Sequence, residues 1–206
     1  MATRKGYGQV ERHHMAAPHN GQIYAQLPAM KKEGNAWVPV TQLENGQFLK
    51  YDYEHGVASV GETGDNDDGK EWFLVYNEEK LYDERRQNHK DFAMLAKDMS
   101  DGLIYPRLLR TFVGDLFTTN TFRTTGGATV TGPDAEITIP DLQVGDFLVI
   151  DNDGWLVKAA NNTKPAVGIV FQVVPHFSQM DRGVIGTTPK HTLPDKQFAV
   201  KLQRIQ

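Results

Sequence analysis

Apolar residues along this chain come in short runs broken by Gly, Pro, Asn and Asp, and most of the runs lack a helical period. Ala36 to Val40 and Gly46 to Tyr53 read as strands, with Glu44-Asn45-Gly46 as a hairpin turn. Trp72-Phe73-Leu74-Val75-Tyr76 is an unbroken apolar run of the kind buried on both faces. Strand character returns at Leu103 to Tyr105, Leu108 to Val113 and Asp115 to Phe122. From Gly126 onward, turn residues separate short strands at Glu136 to Ile139, Gly145 to Ile150, Trp155 to Ala159, Ala166 to Val174 and Phe198 to Leu202. Short strands so punctuated predict a small barrel or sandwich. Phe92, Leu95, Ala96 and Met99 have helical spacing and predict one short helix. The absence of strong amphipathic helices between the strands argues against a parallel α/β sheet.

The expected fold is therefore mainly β, with two β-rich lobes. Residues 1–35 hold too many Gly and Pro for a helix and show no apolar period, so they read as an extended N-terminal arm. Residues 36–122 form the first β-rich lobe and residues 123–206 a small β-barrel or sandwich. A chain of 206 residues is long enough for two cores.

One strand-opening module occurs twice. Gly46-Gln47-Phe48-Leu49-Lys50-Tyr51-Asp52 leads to Gly56-Val57, and Gly145-Asp146-Phe147-Leu148-Val149-Ile150-Asp151 leads to Gly154-Trp155. Val113-Gly114-Asp115-Leu116 echoes its start. Two readings are open: internal duplication, or recurrent strand-start chemistry in which Gly supplies an unusual backbone angle and Asp bonds a nearby N–H. The second is favoured, because a Gly-Asp pair before a strand is common in β proteins.

The net charge of −4 hides a gradient. Residues 1–32 carry five basic side chains (Arg4, Lys5, Arg12, Lys31, Lys32) against one acid, Glu11, while Glu62, Asp65, Asp67 and Asp68 crowd one loop. A basic arm with few apolar residues is expected to order on a partner. Arg4, Lys5, Tyr7, Arg12, Ile23, Tyr24 and Leu27 are its candidate contact residues, and removing residues 1–30 is expected to leave the body folded. The chain has no cysteine, which rules out disulfides, thiolate metal sites and a cysteine nucleophile. No apolar run approaches the roughly 20 residues that cross a bilayer, so a soluble compartment is expected.

No chemical motif in the chain is complete, so no residue reads as catalytic, cofactor-binding or metal-ligating. Gly64 to Lys70 has phosphate-loop spacing, but three aspartates line it and Glu71 stands where Ser or Thr would bind magnesium. The same acidic loop, 61–69, lacks the Gly and Glu positions of an EF-hand, leaving only a calcium site of another kind open. His13, His14 and His19 are too closely strung in an extended arm to share one ion readily, and His176 and His191 have no nucleophile-elbow serine nearby. The acidic body argues against nucleic acid and for a protein partner.

Val144 to Ala159, followed by Lys164-Pro165-Ala166-Val167-Gly168-Ile169-Val170, resembles the core of tailed-bacteriophage head decoration (capsid cement) proteins. In that group a small β-barrel carries a strand, an Asp-Gly turn, a second strand and then a Val-Gly-Ile strand. The resemblance covers about 30 residues of 206 and implies a structural, non-enzymatic virion protein on the outer capsid surface, made in the host cytoplasm. Its implied partners are the major capsid protein and further copies of itself, a trimer among them, with no membrane. A neck, tail or inner-head component, and a β-barrel hydrolase or lyase, are the alternatives.

Overall fold

The computed structural model describes residues 2–10, 23–25, 27–60, 71–77, 91–98, 102–175, 184–185 and 197–206. These are mainly β, with curled sheets that form a half-barrel and no helix of seven residues or more. In chain order the strands begin β1 (Ala2–Lys5), β2 (Ile23–Ala25), β3 (Ala29–Glu33), β4 (Ala36–Pro39), β5 (Gln42–Leu43) and β6 (Phe48–Asp52). Next come β7 (Val57–Val60), β8 (Trp72–Val75), β9 (Met94–Leu95), β10 (Arg107–Arg110), β11 (Leu116–Thr119), β12 (Phe122–Arg123) and β13 (Glu136–Ile139). The last are β14 (Phe147–Ile150), β15 (Leu156–Lys158), β16 (Val170–Val174), β17 (Val184–Ile185), β18 (Gln197–Phe198) and β19 (Val200–Arg204).

Two sheets dominate. The first has seven strands in the order β2-β10-β8-β6-β7-β3-β4, and the second has six in the order β11-β19-β16-β14-β15-β12. Strand for strand the second repeats the first. Taken in chain order, β2, β3, β6, β7, β8 and β10 correspond to β11, β12, β14, β15, β16 and β19. The sense of pairing agrees throughout: β3 with β7 and β12 with β15 are parallel, and the other matched pairs are antiparallel. Registers agree as well, so that Phe48 matches Phe147, Phe73 matches Phe171, Val75 matches Val173 and Arg110 matches Arg204.

The local chemistry repeats with the topology. Three strands open from one kind of turn, at Glu44–Gln47, Phe112–Asp115 and Gln143–Asp146. The third residue is Gly at φ +93° (Gly46), +102° (Gly114) or +94° (Gly145), as a type II turn demands. The fourth N–H donates to the first carbonyl, and the fourth side chain accepts from the first N–H: Gln47 Oε1 at 2.7 Å, Asp115 Oδ2 at 2.8 Å, Asp146 Oδ2 at 2.9 Å. The Gly N–H then donates to a neighbouring-strand residue whose own N–H donates back to the fourth carbonyl; these residues are Val75, Arg204 and Val173 respectively. The strand-start chemistry is therefore real and sits within a repeated sheet topology.

The sheets share one apolar core. Phe48 of the first packs on Phe117 and Phe171 of the second, with ring centroids 6.4 and 5.3 Å away, and those two meet edge-on at 5.4 Å. Backbone touches backbone beside this cluster, where Phe48 N–H donates to Gly154 O at 2.8 Å. A Cβ on Gly154 would fall 2.0 Å from Phe48 O. β6, β7 and β8 are buried along their whole length, as the run Trp72 to Tyr76 predicted for β8.

Several expectations are corrected. The arm is part of the fold: β1 pairs with β13, β2 with β10, and β3 with β4 and β7. β11 and β12, read as the end of the first lobe, hydrogen-bond into the second sheet. Glu44-Asn45-Gly46 is not a hairpin, because β5 pairs with β9 and the turn is held by Val75. The described part of the predicted helix is β9 followed by a single 3-10 turn, Ala96–Asp98; Ala96 N–H donates across to Thr41 O instead of along a helix. Met99, the histidines 13, 14, 19, 176 and 191, and the acidic loop 61–69 lie outside the described residues.

Candidate interaction surfaces

Alternation along β1 leaves Thr3 and Lys5 exposed and turns Arg4 inward, where it is fully buried. A lone buried guanidinium would be prohibitively costly, so the surroundings are built to receive it. Arg4 donates to Glu44 Oε2 at 2.9 Å and to Asn120 O at 3.2 Å, and lies over the Trp155 ring at 5.5 Å. Glu44, also fully buried, accepts in addition from Gly8 N–H and from Gln42 Nε2. Burial pushes the Glu44 carboxyl above its ordinary range despite the opposing charge of Arg4, and burial likewise lowers Arg4 despite Glu44. Further along, Gln9 N–H donates to Asn120 Oδ1 and Gln9 O accepts from Thr119 Oγ1 at 2.6 Å. Residues 2–10 thus bind both sheets at once.

The candidate contact residues fare unequally. Arg4 and Tyr7 are buried within the chain, so their side chains serve the fold rather than a free arm. Lys5 is half exposed and 3.4 Å from Asp134. Ile23 and Tyr24 have their backbones in β2 opposite Leu109 and Leu108. Leu27 is half-buried and touches the core, and Arg12 is outside the described residues.

Other side chains form the outer surface. Tyr53 is 75% exposed and stacks on buried Tyr51 at 5.1 Å, which in turn meets Phe73 edge-on at 4.6 Å. Trp37 of the edge strand β4 packs between Lys32, 5.4 Å from its centroid, and the His55 ring at 5.5 Å; Asp52 orients His55 at 2.9 Å. Val113, Val144 and Val167 are exposed, and each precedes a Gly at positive φ. The acids of the second hairpin turn are already paired with Arg123. Asp151 caps Asp153 and Trp155 N–H groups with one oxygen, while Arg123 donates to its other oxygen at 2.8 Å and to Asp153 at 2.9 Å. Among the described residues no group of three or more His, Asp or Glu is arranged to hold a metal ion.

The two copies of the sheet differ most at matched turns. Glu44, Asn45 and Gln47 are buried, and Gly46 is pressed by Thr121 and Thr119, with Thr121 Oγ1 donating to Asn45 O. Their counterparts are more open: Gln143 and Val144 are exposed, no described atom lies within 4 Å of a Cβ on Gly145, and only Asp146 is buried. No family model matches this chain, and no curated protein and no solved structure matches it either.

Proposed function

We propose that this is a non-enzymatic structural protein that binds the outer lattice of a tailed-phage head and stabilises it. The observation that carries the reading is the contiguous unit β14, Asp151–Gly154 turn, β15 and β16, which spans the segment resembling decoration proteins and pairs β14 with both of its followers. The first sheet carries a second unit of the same build, β6, β7 and β8. Two like units in one chain favour several modest contacts acting together, and such avidity strengthens attachment without any single strong bond. Tyr53, held rigid by its stack, has the chemistry of an interface anchor, because its ordering cost is met before binding.

Adding purified protein to undecorated expanded heads tests the reading. Saturable binding that weakens on Tyr53→Ser is expected. Absence of binding to every head form, immature and expanded, overturns it.

A further inference from the structure

The matched turns carry an inference of their own. In the first sheet, the turn Glu44–Gln47 is covered by the end of β11 of the second sheet, Thr119, and the β11–β12 connection, Asn120-Thr121. In the second sheet, no described residue presses on Gly145 of the matching turn Gln143–Asp146, and Val144 stands 58% exposed at its tip. The repeat says what a cover looks like. The first-sheet counterpart of Asn120-Thr121 is Leu27-Pro28, which leads into β3 and is half-buried.

We infer that the bare turn is an interaction surface for a second copy of this chain, whose Leu27-Pro28 connection seats on Val144-Gly145. The chemistry of the pair has changed in step on both sides. Inside the chain, the Thr121 hydroxyl of the connection donates to the backbone carbonyl of Asn45 at the turn. Between copies, an apolar turn (Val144) meets an apolar connection (Leu27 and Pro28). Gly145 leaves room for the approach, as Gly46 does for Thr121.

The contact joins unlike surfaces, since the second sheet of one copy receives the first sheet of the next. Such heterologous contacts build rings where the rotation closes and filaments where it does not. The inference stands on the internal repeat and not on capsid binding.

Sedimentation of the full chain over a range of concentrations tests it, with Val144→Arg as the disrupting variant and Val167→Arg as a control at another exposed valine. The wild type and V167R should sediment above the mass of one chain as concentration rises. V144R should keep its melting temperature and weaken association on the order of a hundredfold, the cost of an unpaired charge in a contact. Because the chain has no cysteine of its own, Val144→Cys mixed with Pro28→Cys should oxidise to a covalent heterodimer, while Val144→Cys alone should form no disulfide-linked dimer. A wild type that stays monomeric throughout, equal weakening by V167R, or no heterodimer from the mixture overturns the inference. A chain that self-associates but ignores heads, or decorates heads as a monomer, separates this inference from the capsid reading.

Discussion

Arg4 and Glu44 hold each other inside a protein that could have used two apolar side chains there. Ion pairs so buried add little net stability over apolar neighbours, but removing one partner strands the other in a medium that cannot solvate it. Arg4→Met and Glu44→Gln should therefore each cost about 3–5 kcal/mol in chemical unfolding. The double variant should lose less than the two single losses added together, by about 1–3 kcal/mol. Losses that simply add would show that the pair is not coupled. The pH dependence has a definite sign. Burial raises the folded Glu44 carboxyl above its unfolded value, so its contribution is fully present below the unfolded value and is lost as pH rises through the folded one. Without the cation of Arg4 the carboxyl rises further, so the deficit of Arg4→Met should shrink towards about pH 4 and widen towards about pH 8. Unfolding free energies of variant and wild type at the two pH values measure this.

Glycines with similar backbone angles do different work within the second hairpin-bearing unit. At Gly154 (φ +81°), Ala would bring both an unfavourable backbone angle and a collision with Phe48 O; at Gly145 (φ +94°) it would bring only the first. Gly145→Ala should cost about 1–2 kcal/mol, and Gly154→Ala distinctly more, read as the difference in their thermal midpoints. Equal effects would mean that the sheets do not meet backbone to backbone at this point. The strands themselves were legible: the limits of β13 fall where Glu136 to Ile139 predicted, because Pro and Gly punctuate both sides. Burial of β8 on both faces was legible too, from five consecutive apolar residues. The helix was not, since Phe92, Leu95 and Ala96 keep helical spacing while Leu95 pairs with β5 and Ala96 N–H donates to Thr41 O. Nor was the pocket for Arg4, because a Glu in a turn reads as solvated until the strand that covers it is known. One signal of the repeat was present and passed over: Asn20-Gly21-Gln22 stands before β2 as Asn45-Gly46-Gln47 stands before β6, and Val-Gly-Asp opens both matching strands of the second sheet.

For the whole molecule, a common core and a shared N-terminal segment make the two sheets one cooperative unit. Arg204 and Arg110, matched positions of the repeat, even share one carboxylate, Glu71, at 3.1 and 2.7 Å. Calorimetry and fluorescence should report a single coincident transition; two separated transitions would restore the picture of independent lobes. Removing residues 2–10 should lower stability by at least the cost of a stranded Glu44, about 3 kcal/mol, where a dispensable arm would leave the midpoint unchanged. The pairing of β1 with β13 also sets a timetable. Thr3 is made early, yet its partner is Thr138. At about 5–20 residues per second, synthesis keeps the two apart for roughly 7–27 seconds. β1 thus leaves the ribosome well before the strand that seats it, and a nascent chain spends that interval with the β1–β13 pair unmade.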